Sequence, residues 1–220
     1  MPKIIDEQAR RASIAEAVWA IAARSGLEAA TVRAVAAECG LSTGAIQHSF
    51  PTQAALQQFA MELIVQRVTE RITALDGLPE DSDGDEAKDA IAAMLFQLLP
   101  LDDEREAEAR VWAAFSTAAL VNPALAPYAR TMDELLASFC HRCVEQLAAA
   151  SSSRDIGTNS TATAAPASAP AIAPDDRSLQ GAHLHALLDG LALHLLTDPT
   201  ADLRRQAEAL VRSFLRQLAA

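Results

Sequence analysis

The chain has 220 residues, of which half are hydrophobic and only 4% aromatic, and its formal net charge is −11. A chain of this length holds one large domain or two small ones, with a substantial hydrophobic core. The acidic balance argues against a general nucleic-acid binder, and no apolar run approaches the roughly 18–20 residues of a membrane span.

Alanine and leucine dominate the sequence, and runs of β-branched residues are absent. This composition favours helices over strands, so we predict an all-α protein. The first residues, MPKIIDEQARR, are charged and lack the apolar segment of a signal peptide. Three sparse cysteines do not suggest a disulfide framework, which fits a reducing compartment. We therefore expect a cytoplasmic protein with no membrane contact.

A first amphipathic helix is predicted over about Ile5–Ser25, because its apolar residues recur at i, i+3 and i+4. Two short helices joined by a glycine turn follow in residues 31–50, TVRAVAAECGLSTGAIQHSF. Thr31 and Ser42 are the predicted N-caps, since their hydroxyls can accept an orphan backbone N–H. Gly40 stands where the chain must adopt positive φ to leave the first of these helices. The pattern predicts a three-helix unit that ends in a helical hairpin.

The second short helix of this hairpin has an apolar and a polar face. Ile46 and Phe50 lie four residues apart and are predicted to face the core, together with Val35 and Leu41. The outer face is small and polar, and consists of Thr43, Gly44, Gln47 and His48. A helix-turn-helix needs such a surface to enter the major groove of DNA. An ordinary helical hairpin with a solvated face would show the same pattern.

The charge is unevenly distributed along the chain. Residues 1–50 carry five basic and five acidic side chains, so the whole net charge of −11 belongs to the rest of the sequence. We call residues 1–50 the head. Because the phosphates repel the acidic remainder of the chain, the protein can bind DNA through this neutral head. Since the head has no excess positive charge, we expect modest non-specific affinity and a shallow salt dependence.

A long fourth helix is predicted from about Thr52 to Leu75; at about 1.5 Å per residue it is long enough to link two domains. The polar stretch 76–86 ends it, and further helices are predicted at residues 87–99 and 102–121. Asn122-Pro123 is interpreted as the N-cap and first position of another helix, which reaches about Ala150. Residues 151–174 are rich in Ser, Ala, Thr and Pro and predict a flexible loop, most simply a spacer.

Two last helices are predicted at residues 176–197 and 198–218, the second capped by Asp198-Pro199. The first of them is apolar on nearly every side, so it must be buried from two sides. A single chain of this size can hardly cover both helices. The same pair from a second copy is the natural cover, and we predict a homodimer through the last two helices, with a two-fold, four-helix interface.

These motifs resemble the TetR family of bacterial transcriptional regulators over roughly residues 7–67. The residues that carry the resemblance are Thr31-Val32-Arg33, Ala36, Gly40-Leu41-Ser42, Gly44, Ile46, His48, Phe50-Pro51 and Ala55-Leu56. The C-terminal half is similar, more loosely, to the BetI-like branch through ARVWAAF (109–115), NPAL (122–125) and LLDGLALHLL (187–196). The resemblance implies a three-helix DNA-binding domain at residues 7–67, a long linking helix, and a helical ligand-binding and dimerisation domain at 68–220 with a flexible loop at 151–174.

The resemblance also implies a ligand-responsive regulator, expected to be a repressor, that binds a palindromic operator in double-stranded DNA as a dimer and is released by a small effector. The candidate DNA-binding residues are Thr31, Arg33, Ser42, Thr43, Gly44, Gln47, His48 and Thr52. Gln47 and Thr43 are assigned to base edges, and Thr31, Arg33, Ser42 and Thr52 to phosphates. The family usually has an aromatic residue at the position of Gln47, where glutamine can instead pair with adenine. It also usually has a lysine where this chain has Thr52-Gln53.

The candidate ligand-binding residues are Trp112, Phe115, Phe139 and Asp189. The three aromatic residues fall on the central helices, where they could equally be ordinary core residues. Few polar groups accompany them, so the effector is expected to be apolar or amphipathic. Asp189 interrupts an apolar run four residues after His185. We expect it either to share a hydrogen bond with His185 inside the dimer interface or to face a cationic ligand.

No enzyme signature is visible, since the sequence has no glycine-rich phosphate loop, nucleophile elbow or metal-binding helix motif. Cys140, His141 and Cys143 are too few ligands for a zinc site. We therefore predict no catalytic residue, no metal and no cofactor. The main alternative is a helical ligand-binding or scaffold dimer that no longer binds operator DNA, which Gln47 and the weak basicity of the head motivate.

Overall fold

The computed structural model describes residues 2–75, 84–157 and 174–218. Within these ranges all of the regular secondary structure is helical, including one 3-10 turn, Leu27–Ala29, which we call the connector. The α-helices are α1 (Pro2–Ser25), α2 (Val32–Cys39), α3 (Thr43–Ser49), α4 (Gln53–Ala74), α5 (Gly84–Phe96), α6 (Asp103–Ala119), α7 (Ala126–Gly157), α8 (Pro174–Thr197) and α9 (Ala201–Leu218). The prediction of an all-α fold is confirmed. None of these helices is both long enough and apolar enough to cross a bilayer.

The helices belong to two compact units. The first unit joins Met1–Arg71 to Pro100–Met132, and the second joins Ile72–Leu99 to Asp133–Ala220. The predicted domains are functional assignments: residues 7–67 to DNA binding, and residues 68–220 to ligand binding and dimerisation. That functional division stays a prediction.

The core of the first unit is built on the apolar face of α1. Ile14, Val18 and Ile21 are buried there at the spacing that the sequence predicted. The Trp19 side chain donates its indole N–H to the Ala60 carbonyl of α4 over 2.9 Å, which ties α1 to α4. The connector packs against α1 and α6. The helix-turn-helix is therefore attached to a rigid, well-packed support.

The start of α7 differs from the prediction. Asn122 does not cap this helix: its side-chain Oδ1 accepts the Ala124 N–H over 3.0 Å in a turn, and the helix begins at Ala126. Proline at position 127 has no N–H to bond the carbonyl of Pro123, so a helix starting at Pro123 would lack its i→i−4 bond there. At the second position of a helix that begins at Ala126, the missing N–H is tolerated.

The ends of the predicted loop also differ. The structure continues α7 to Gly157 and starts α8 at Pro174, so residues 151–157 are helical where the sequence predicted a loop. No proline interrupts the chain before Gly157, and serine and arginine are tolerated in a helix. Residues 158–173, the rest of the predicted loop, lie outside the described residues, as do 76–83 of the predicted break after α4.

The second unit packs α9 against α5 and α8. α8 buries one face in this unit, through Leu184, Leu188, Leu191 and Leu195. The helix that follows it, α9, is capped by Thr200, whose Oγ1 accepts the Leu203 N–H over 3.3 Å, rather than by the predicted Asp198-Pro199. Because the Thr200 hydroxyl accepts an N–H of the first turn, Thr200 is the N-cap and the helix begins at Ala201.

Candidate nucleic-acid interface and ligand-binding residues

The hairpin of α2 and α3 has the caps and the elbow that the sequence predicted. Thr31 Oγ1 accepts the Ala34 N–H, and Ser42 Oγ accepts the Ala45 N–H, each over 3.2 Å. Between the two helices Gly40 adopts the left-handed conformation, with φ +65° and ψ 27°. The Leu41 N–H bonds the Ala36 carbonyl over 2.9 Å, which together with the bond from the Gly40 N–H forms a Schellman motif. These local bonds fix the direction in which α3 leaves α2.

α3 has one buried and one exposed face. Ile46 has no exposed surface and Phe50, which follows the helix, is 3% exposed. The Phe50 ring packs against Phe59 of α4 with the ring centroids 4.8 Å apart. The outward face consists of Thr43, Gly44, Gln47 and His48, all exposed. The structure thus brings the four predicted recognition residues together on one solvent-facing surface, while their contact with DNA stays a prediction.

The candidate phosphate contacts are exposed at the ends of helices. Thr31, Arg33, Ser42 and Thr52 all lie at the surface. Thr52 Oγ1 accepts the Ala55 N–H over 3.0 Å at the start of α4. The hydroxyls of Thr31 and Ser42 likewise accept backbone N–H groups at the starts of α2 and α3. In each case the oxygen is used as an acceptor, so the hydroxyl hydrogen is still available to donate to an anion.

Two of the arginines in the first fifty residues are engaged within the unit. Arg24 forms two hydrogen bonds to Glu38 over 3.2 and 3.0 Å. These bonds lower the pKa of the Glu38 carboxyl and raise the pKa of Arg24. The Arg11 guanidinium lies over the rings of Phe59 and Phe50, 4.5 and 5.3 Å from their centroids. The head therefore offers less free positive charge than its composition indicates.

Two of the candidate ligand-binding residues belong to the first unit. Phe115 is 1% exposed and meets Tyr128 edge-on with centroids 5.6 Å apart, and Trp112 packs beside the same core. The Tyr128 hydroxyl is buried and has no hydrogen-bond partner among the described residues. Burial, and then the charge of Glu62, raise its pKa to about 12. Tyr128 was missed from the sequence, because an isolated tyrosine near a turn carries no periodic signal.

The other two candidates, Phe139 and Asp189, belong to the second unit. Asp189 lines a cleft of about 680 Å³ between α7 and α8, together with His141, Arg142 and His185. His185 Nε2 lies 3.4 Å from Asp189 Oδ2 and 3.6 Å from Asp133 Oδ1. Burial raises the pKa of Asp189, His185 opposes that rise and Asp133 adds to it. Asp189 thus lies beside His185 as expected, whereas the roles proposed for the pair stay predictions.

α7 and α8 approach each other closely at Gly181, a residue that no sequence pattern marked. A Cβ at this position would lie 3.1 Å from the His141 Cα, so a larger residue would push the helices apart. Nearby on α7, Cys140 and Cys143 are buried, and burial raises the pKa of each thiol to about 12. Both thiols stay protonated and unreactive near neutral pH.

The chain matches two known sequence families over much of its length. Residues 14–58 match "Bacterial regulatory proteins, tetR family", and residues 87–169 match "BetI-type transcriptional repressor, C-terminal". The first match covers the caps, elbow and recognition face of the α2–α3 hairpin. The second begins in α5 and includes α6 and α7.

Relatives and solved structures agree with these matches. The HTH-type transcriptional regulator PksA of Bacillus subtilis (strain 168) is 33% identical over 202 residues, 90% of this chain and 84% of PksA. The crystal structure of a transcriptional regulator from Rhodococcus sp. Rha1 superposes with a TM-score of 0.71 at 28% identity, covering 94% of this chain and 95% of that one. A regulator from Saccharomonospora viridis in complex with choline shares the fold, with a TM-score of 0.67 at 21% identity and 96% coverage of both chains. The chain belongs to the TetR family of bacterial transcriptional regulators.

Proposed function

We propose that the chain binds a palindromic operator through the outer face of α3, with one α2–α3 hairpin from each subunit of a homodimer. The observation that carries this proposal is the contrast between the exposed recognition residues and the fully buried Ile46 beneath them. A recognition helix must present polar side chains outward from a fixed hydrophobic seat. The family consists of transcriptional regulators rather than enzymes, and a regulator of bacterial DNA acts in the cytoplasm.

Base recognition is assigned to Gln47 and Thr43. The amide of glutamine can pair with both N6 and N7 of adenine, and the threonine hydroxyl can serve either kind of base edge. Phosphate contacts are assigned to Thr31, Arg33, Ser42 and Thr52, with Gly44 and His48 completing the surface. Since capping hydroxyls and backbone N–H groups fix the register without reading the sequence, Gln47 is expected to carry most of the specificity.

Dimerisation is assigned to α8 and α9. Leu179 and Leu193 of α8 are 56% and 48% exposed, and Leu210 of α9 is 43% exposed. The same two helices of a second copy would cover these leucines with a self-complementary surface, which supports the assignment. A dimer also accounts for two hairpins binding the two halves of a palindrome.

The effector is proposed to be a small apolar or amphipathic molecule that releases a repressor from its operator. We assign DNA binding to residues 7–67, and ligand binding and dimerisation to residues 68–220. Trp112, Phe115 and Phe139 are the proposed apolar contacts. Asp189 is the proposed contact for a polar or cationic group. Choline, which the Saccharomonospora viridis regulator holds, is a small organic cation of the kind assigned to Asp189 and a reasonable first compound to test.

The test is a selection of DNA by the purified full chain. Random double-stranded DNA is bound, recovered and sequenced, and an inverted repeat is expected. Gln47→Ala should then weaken binding to the selected site by about 1–3 kcal/mol with the fold intact. Gln66→Ala is the control, because Gln66 is an exposed α4 residue that bonds Glu70 over 2.7 Å. A folded dimer that enriches no sequence would favour the alternative, a ligand-binding or scaffold protein without operator binding.

A further inference from the structure

Two glutamines of α4 hold the connector that leads into the helix-turn-helix. Gln57 Nε2 donates a hydrogen bond to the Leu27 carbonyl over 2.9 Å. One turn earlier on the same helix, Gln53 Nε2 donates to the Glu28 carbonyl over 3.2 Å. Two successive carbonyls of the connector are thus bound by two amides on one face of α4.

Gln57 is 1% exposed and is, with Glu108, one of two buried polar or charged residues in the part of the chain that the structure describes. A buried amide is tolerated only when it is hydrogen-bonded. The carbonyl that it binds is already satisfied, since Leu27 O also accepts the Ala30 N–H over 3.0 Å. The bond from Gln57 is therefore not needed to complete the turn; what it adds is a fixed position of the connector on α4.

The connector controls where α2 begins. Ala30 and Thr31 are all that separate it from α2, and the Thr31 N–H bonds the Ala29 carbonyl over 2.8 Å. Thr31 is the N-cap of α2, and the Schellman elbow at Gly40 then fixes α3 relative to α2. A shift of the connector along α4 would consequently move the whole recognition surface.

We propose that Gln57 and Gln53 are positioning residues for operator recognition. They join the connector to α4 and so set the orientation of the α2–α3 hairpin without contacting DNA themselves. This inference rests on the proposed binding of a two-part operator by a dimer. In such a complex the orientation of each hairpin decides which spacing of the half-sites is accepted.

The test compares Gln57→Met with the native full chain. Methionine keeps the length and helix propensity of glutamine but cannot donate to Leu27 O. We expect the selected operator to be bound about threefold to tenfold more weakly, the range for one lost hydrogen bond. The more specific readout is spacing: inserting one base pair between the half-sites should weaken the native protein more than the variant. Gln66→Met on the exposed side of α4 should match the native protein in both measurements.

A second pair of measurements separates this inference from the proposed function. Hydrogen exchange of the Ala29 and Ala30 amides reports on the connector in the free protein, and both should exchange faster in Gln57→Met. If the native chain selects no operator, the proposed function is refuted. The hydrogen-exchange rates then still decide whether the glutamine side chains hold the connector. Unchanged exchange, or native affinity with native spacing preference, overturns the positioning role.

Gln53→Met decides the matter if Gln57→Met does not fold, because Gln53 is only half-buried. It should loosen the Glu28 carbonyl and relax the spacing preference in the same direction. A positioning role leaves the slope of affinity against salt concentration unchanged, and so does loss of a neutral phosphate contact. The spacing series distinguishes the two, since a lost phosphate contact weakens binding equally at every spacing.

Discussion

The glycine elbow between α2 and α3 allows a quantitative test, because its conformational cost can be separated from steric clash. Gly40 has φ +65° and ψ 27°, and a Cβ added there would meet no atom within 4 Å among the described residues. The effect of Gly40→Ala is therefore confined to the backbone. The left-handed conformation costs an L-residue about 1–2 kcal/mol, and the loss of unfolded-state freedom returns about 0.4–1 kcal/mol. We expect a net destabilisation of about 1 kcal/mol.

Gly26, before the connector, is the matched comparison. A Cβ added there would also meet open space, but the φ of 82° and ψ of 160° lie in a region that only glycine adopts readily. This region is essentially restricted to glycine, whereas other residues do occupy the left-handed region of Gly40 occasionally, so Gly26→Ala should be more destabilising than Gly40→Ala. Asparagine tolerates the left-handed region. Gly40→Asn should therefore recover part of the loss, whereas Gly26→Asn should recover none.

Urea unfolding followed by tryptophan fluorescence is a suitable assay. Trp19 and Trp112 are the two tryptophans of the chain, and both lie in the first unit with the elbow. All variants are compared at one protein concentration, because dimerisation makes apparent stability depend on concentration. Equal losses for Gly26→Ala and Gly40→Ala, or a Gly40→Asn variant less stable than Gly40→Ala, would refute the reasoning.

Two further predictions concern charged groups of the two units. Glu108 is bound by Arg71 over 3.0 and 2.7 Å, and their side chains are 8% and 25% exposed. The contribution of this pair to stability should lie between that of surface and fully buried ion pairs. We therefore expect Glu108→Ala to lower the free energy of unfolding by about 2 kcal/mol in the same urea assay. A loss below about 0.5 kcal/mol would contradict this. Burial raises the pKa of Asp189 above its ordinary 3.8, so the folded chain binds more protons than the unfolded chain and stability falls as pH rises through this window. Asp189→Asn, which does not titrate, should therefore gain melting temperature relative to the native chain as the pH rises above about 4, and a difference that does not change with pH would exclude this.

The sequence predicted the parts of the fold that depend on local bonds. The caps at Thr31 and Ser42 and the turn at Gly40 each involve residues within five positions of one another, so composition and spacing carry the information. The start of α7 depends on a competition between Asn122 as a cap and proline at position 127. A cap pattern alone does not reveal that competition, and the helix begins at Ala126 rather than at the predicted position 123.

Contacts between residues that are distant in sequence could not be predicted from local patterns. Gln57 bonds a carbonyl 30 positions away, and no local pattern names that partner. One signal was nevertheless present: Gln57 stands four residues before Met61 and seven before Ile64, both buried. A polar residue in line with a buried helical stripe indicates a buried hydrogen bond. Tyr128 and Gly181 had no comparable signal, because their surroundings are created by the packing of other helices.

The salt dependence of operator binding follows from how the head uses its charges. Arg24 is bonded to Glu38 and Arg11 lies over two aromatic rings, so the proposed phosphate contacts are mostly hydroxyls and backbone N–H groups. These release no counterions, and the slope of log affinity against log salt should be well below the value of about ten for strongly ionic complexes. Glu38→Gln frees the charge of Arg24 and should steepen the slope. A native slope near ten, measured by a titration of the selected operator at several salt concentrations, would mean that basic side chains dominate the interface.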